Sequence, residues 1–148
     1  MTEELQPFNE ANALLADPQA LRRQMQRDGY LFFRGLLPAA PVNDLYAEIM
    51  AICRSANWAD ADDHPVGQPR LEGSPEFWEV YDQVQVLEDF HALPHRRELL
   101  EIIATLVQET PFVHPRNIAR ISFPQAQHFT TPPHQDYVHI QGTPEVYT

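Results

Sequence analysis

His134 and Asp136 stand two residues apart in Pro132-Pro-His-Gln-Asp-Tyr-Val-His-Ile-Gln-Gly142. On an extended chain two such residues leave the same face, about 6.6 Å apart along the backbone at the usual rise. From there an imidazole and a carboxylate can reach one metal ion. They are two members of the 2-His-1-carboxylate set that holds Fe(II) on one face and leaves positions open for an organic acid and O2. A His-x-Asp triplet also arises by chance, so its surroundings have to decide. The third ligand is not obvious. His139, at an odd offset, falls on the opposite face of a regular strand. His128 belongs to the loop before it. His64, His91, His95 and His114 read as surface or helix-terminus residues. Arg120 and Arg116 offer planar forks that suit a carboxylate, with a structural salt bridge as the alternative role.

The chain that must position these groups has 148 residues, one domain's worth, with enough apolar content at 43% for a real core. Net charge is −11, and every one of the ten basic residues is arginine. Acid is spread along the chain and no basic patch exists, which argues against nucleic-acid binding. No run approaches the roughly 18 apolar residues of a membrane span. The acidic start Met-Thr-Glu-Glu lacks the basic region of a signal peptide. Cys53 is the single cysteine and has no partner within the chain, which fits a reducing, cytoplasmic setting.

Helices come first. Asp17-Pro18 reads as an N-cap followed by proline at the first helical position, with Gly29 as the stop. Tyr30 to Arg34 is short, aromatic and bounded by glycines, which predicts a strand. After Pro38, the residues Val42, Leu45, Ile49 and Ile52 predict a second helix with one buried face, and Cys53 flanks it as a core residue. Residues 57–75 form a loop with the character of a lid. Its acidic run from Asp60 to Asp63 reads as solvated charge, with cation binding the alternative. Ser74-Pro75 opens a third helix, for which Phe77, Trp78, Tyr81 and Val84 supply the apolar side. A further helix opens near Pro94, and Leu99, Ile102, Ile103, Leu106 and Val107 form the strongest stripe in the chain.

Beyond Pro111 the texture changes. Phe112 to His114 and Asn117 to Phe123 alternate as strands do, and Val146-Tyr147 begins another. The predicted class is therefore α+β, a single domain over 1–148 with a helical part over about 17–110 and a β part over about 111–148.

Asp28-Gly-Tyr-Leu-Phe-Phe-Arg-Gly-Leu-Leu-Pro38, the helix after it, the strand from Asn117 and the triplet His134-Gln135-Asp136 together resemble phytanoyl-CoA dioxygenase-like proteins over roughly residues 17–148. The resemblance implies a double-stranded β-helix of the jelly-roll or cupin kind, with the N-terminal helices packed on its first half. It implies Fe(2+) and 2-oxoglutarate, a small-molecule substrate and O2, with hydroxylation as the outcome. His134 and Asp136 land on the iron ligands of the family. A carboxylate at Asp136 fills the position that chloride takes in the related halogenases. The family's distal His and its 2-oxoglutarate-clamping Arg fall beyond Thr148, so the resemblance implies an N-terminal part of the enzyme with little turnover on its own. A catalytically inactive remnant, or a binding or regulatory module, is the alternative.

Overall fold

The computed structural model describes residues 6–66, 74–121 and 147. Five α-helices order them: α1 Pro18–Asp28, α2 Ala39–Ser55, α3 Pro75–Gln85, α4 Glu88–Ala92 and α5 Arg97–Val107. The chain divides into two compact units, Met1–Ala39 with His95–Phe112, and Ala40–Pro94 with Val113–Thr148.

The first unit is built on α1 and α5. Asp17 begins α1 as the spacing predicts: its Oδ1 accepts from Gln19 N and Ala20 N, both at 3.0 Å. Gly29 ends it in the left-handed region at φ 76°, where its N–H caps Met25 O. A side chain at that φ would be strained, which is why glycine serves there. Arg22 donates to Thr105 O at 2.9 Å, tying α1 to the last turn of α5 where carbonyls lack helical partners. Leu21 is buried at 1% exposure, and buried Gln24 is satisfied by donating to Asn9 O at 3.1 Å. Removing the cap by Asp17→Ala should cost about 1 kcal/mol, read as a lower midpoint in chemical denaturation.

Asp28 is one acid-sensitive point of this unit, and Glu98, also held below its usual range, is another. Arg27 grips Asp28 with two bonds of 2.6 and 2.8 Å, and Asn9 adds a third. The Arg27 hydrogen bond comes first among the causes that hold the Asp28 carboxyl below its usual range. A carboxyl depressed in the folded state adds stability above its unfolded pKa and loses it as pH falls through the folded one. Stability should therefore drop on acidification below the ordinary carboxylate range, and Asp28→Asn should flatten that drop in a pH series of denaturation curves.

The second unit gathers around α3. Ser74 Oγ caps it by accepting from Phe77 N at 3.2 Å. Phe77, Val80 and Val84 lie along one face and are buried at 4%, 0% and 3% exposure. With Trp58 and Ala119 they make the core, against which Ile49, Ile52 and Cys53 of α2 pack, together with Tyr81, Phe90 and Ile121. The loop after α2 is held by the ion pair of Arg54 with Asp63 and by Tyr46 Oη donating to Asp63 Oδ2 at 3.2 Å.

The α+β half-barrel expected from the sequence is overturned. The described residues are helical, and no strand or sheet occurs among them, only two isolated bridges, Glu10 with Phe32 and Ala59 with Pro65. The expected strand Tyr30–Arg34 keeps a single bridge. Its Arg34 exchanges both backbone bonds with the Asn12 side-chain amide, each at 2.8 Å. Phe112–His114 is irregular, and the segment from Asn117 is unladdered as far as Ile121, where description stops. Alternating residues mark which face is buried, but a ladder needs a second backbone alongside. At Arg34 the Asn12 amide takes that role, and at Asn117 and Ala119 the Gln85 amide does. Of the expected strand at Val146-Tyr147 only Tyr147 is described, and it is not in a strand.

Candidate functional site

His134 and Asp136 lie outside the described residues, as do His128 and His139. Arg116 and Arg120 are described, and both are exposed. Neither guanidinium takes part in the ion pairs found among the described residues.

The segment that carries Arg120 is placed with period two. Ala119 is buried at 8% exposure and Ile121 packs on the same core, while Ile118 is 53% exposed and Arg120 faces out with it. Three polar side chains fix this arrangement. The Gln85 amide donates to Asn117 O and accepts from Ala119 N at 3.0 Å. His91 Nε2 lies 2.7 Å from Gln85 O, and Asn117 Nδ2 lies 3.3 Å from His91 Nδ1. An amide nitrogen can only donate, so Nδ1 accepts and Nε2 carries the proton to Gln85 O. The sequence reading missed this group. Gln85 ends a helix with nothing in its neighbourhood to mark it, and His91 reads as an ordinary helix-terminus residue. Only the fold brings 85, 91 and 117 together.

Asp60, Asp62 and His64 are the described residues that bring three metal-type donors within 4.8 Å of one another. All three are exposed. Asp60 Oδ1 accepts from Asp62 N at 2.9 Å and His64 N at 3.0 Å, a turn closed by its own side chain. The His64 backbone bond leads the causes that hold the Asp60 carboxyl below its usual range. The cluster is thus accounted for as loop structure. Cys53 is half-buried, and burial pushes its thiol up, so it stays protonated at neutral pH and is a poor nucleophile or ligand. In the first unit an open groove between α1 and α5 is lined by Arg22, His95, Leu100, Ala104 and Pro111 among others. Arg22 and Arg97, which also line it, are each already bonded, to Thr105 O and to Glu101.

No helix among the described residues is long and apolar enough to cross a membrane. No curated protein and no solved structure matches the chain. A family model, Phytanoyl-CoA dioxygenase (PhyH), matches residues 25–147, a span that takes in α2 to α5, the Arg120 segment and the His134-Gln135-Asp136 triplet. That match covers most of the sequence, and the chain belongs to the phytanoyl-CoA dioxygenase family.

Proposed function

We propose that the protein is an Fe(II)- and 2-oxoglutarate-dependent oxygenase that hydroxylates a small organic substrate. The observation that carries this reading is the family match over residues 25–147, within which His134 and Asp136 supply an imidazole and a carboxylate two positions apart. The donor chemistry fits: imidazole nitrogen and carboxylate oxygen are the ligand types of non-heme Fe(II) sites that keep open positions. When bound, iron and 2-oxoglutarate supply the oxidising chemistry, in which O2 and 2-oxoglutarate become succinate, CO2 and the hydroxyl oxygen of the product.

The remaining work falls to side chains. His134 and Asp136 hold the metal, and the Asp136 carboxylate occupies the position a halide would need. Arg120, or Arg116 beside it, offers its fork to a carboxylate of the substrate or of 2-oxoglutarate. The exposure of both arginines supports that role. Charge bears on the substrate. A chain at −11 without lysine is a poor attractor for a polyanion such as a CoA thioester, so a small metabolite of low negative charge fits better.

Anaerobic titration tests the reading. Fe(II) followed by 2-oxoglutarate should produce visible charge-transfer absorbance in the wild-type chain, and none in His134→Ala. A wild-type chain that binds 2-oxoglutarate no better with iron than without it would sink the proposal.

A further inference from the structure

Tyr30-Leu-Phe-Phe is a run of large aromatic and apolar residues without a charge. Extended backbone of that composition, left with open N–H and C=O groups, is a template for pairing with another chain. Residues 8–12 lie along it and take up those groups. Glu10 bridges Phe32 in the parallel sense, and Ala11 N donates to Phe32 O at 2.8 Å. Past that rung the Asn12 side chain replaces backbone, donating to Arg34 O and accepting from Arg34 N. The family match begins at residue 25, so residues 8–12 lie outside it and the segment they cover lies inside.

The side chains of residues 8–12 follow the same line. Phe8 sets its ring 5.0 Å from Tyr30 and 5.6 Å from Phe32. Asn9 N donates to Tyr30 Oη at 3.0 Å, and Asn9 O accepts from Gln24 at 3.1 Å. Glu10 pairs at 3.3 Å with Arg34, whose guanidinium lies 5.0 Å from the Phe32 ring. Yet the attachment is shallow. Ala11 is buried, whereas Phe8, Asn9 and Glu10 are exposed. Exposed ion pairs and hydrogen bonds each add little. The helix that follows has its own cap at Asp17, so residues 8–12 can lift without unwinding α1.

We propose that residues 8–12 are a strap that guards the edge of residues 30–34, and that lifting it opens that edge to the same segment of a second copy of this chain. Self-pairing suits the sequence. In an antiparallel pair centred on Phe32, Arg34 of each copy falls opposite Tyr30 of the other, a cation beside an aromatic ring. The two arginines then stand at opposite ends, about 13 Å apart along the pair. Nothing in this proposal draws on iron or 2-oxoglutarate.

The experiment uses the full chain and two variants. Asn9→Ala/Asn12→Ala removes the side-chain bonds to Asp28 and to both backbone groups of Arg34. Ala11→Pro removes the donor to Phe32 O and adds bulk at a buried alanine. Hydrogen exchange at the Arg34 amide should speed up roughly tenfold in Asn9→Ala/Asn12→Ala, the effect of one lost hydrogen bond. In sedimentation, both variants should show a weight-average mass that rises with concentration beyond that of wild type. A peptide reproducing residues 6–16, added in excess, should return the mass to the wild-type value, and a scrambled peptide should not. Should Ala11→Pro fail to fold, the double alanine variant carries every comparison. Wild-type exchange at Arg34 in that variant would show that no such strap is held there. Faster exchange with a wild-type mass, or association that the peptide leaves untouched, would overturn the guarding role.

Discussion

Alanine at Asp136 is expected to weaken Fe(II) binding by at least about a hundredfold, and alanine at His134 by a similar factor. Loss of an outer partner of a ligand already costs roughly ten- to a hundredfold in metal affinity, and loss of the ligand itself should exceed that. His139→Ala and His128→Ala should stay within about threefold of wild type. The contrast follows from period two: His134 and Asp136 share a face on extended backbone, and His139 does not. Asp136→Glu separates charge from geometry, since it keeps the carboxylate but moves it outward by one methylene. It should recover part of the affinity and little of the 2-oxoglutarate binding. Anaerobic Fe(II) titration with a competing chelator measures all five variants. If His139→Ala costs as much as Asp136→Ala, the ligand pair is wrongly chosen, although an iron-dependent enzyme could still stand.

Helix boundaries were legible because caps are local. Asp17 needs only Gln19 and Ala20, and Ser74 needs only Phe77, so three residues carry the whole signal. The buried face of α3 was less legible. The sequence offers Phe77, Trp78, Tyr81 and Val84 as its apolar side, yet Val80 is the fully buried residue and Trp78 is 40% exposed. A helix carrying apolar residues on more than one side does not say which side meets the core. Here Trp58 and Ala119, both more than fifteen positions away, decide it. In α5 the strongest stripe of the chain buries no residue fully. Spacing predicts a face, and burial depends on what the rest of the chain brings to it.

Strands failed for a related reason. Around Ala119 the sequence showed that residues alternate but not which set is buried; the structure turns Ala119 and Ile121 to the core and Arg120 outward. Alternation reports burial on one side, whereas a strand is defined by its hydrogen-bond partner, and that partner proved to be Gln85 rather than backbone. The family was legible from the stretch Asp28–Pro38 and from His134-Gln135-Asp136, and the match over 25–147 agrees. The acidic run from Asp60 to Asp63 was read as solvated, which holds for exposed Asp62, whereas Asp60 closes a turn and Asp63 is half-buried in its pair with Arg54.

Phe77→Ala is expected to destabilise the second unit by about 3–5 kcal/mol, the range for removing a large aromatic from a packed interior. Total stabilities run to only about 5–15 kcal/mol, so this one change should bring the unit near its unfolding threshold. Phe77 is 4% exposed and its ring lies 6.1 Å from Trp58, 6.0 Å from Tyr81 and 5.5 Å from Trp78. Those neighbours come from a loop and from two further positions on α3, so no single side chain can slide in to fill the gap. Trp78 provides the control. It is a larger residue and adjacent in sequence, but it is 40% exposed, so Trp78→Ala should cost about 1–2 kcal/mol from lost apolar area. Trp58 and Trp78 are the two tryptophans of the chain and both belong to this unit. Their fluorescence in a denaturant series therefore follows this unit, and in Trp78→Ala the signal comes from Trp58 alone. A cost for Trp78→Ala equal to that of Phe77→Ala would mean that the core is centred on the other face of α3. In that case Ala119, and with it the outward placement of Arg120, would lose its physical basis.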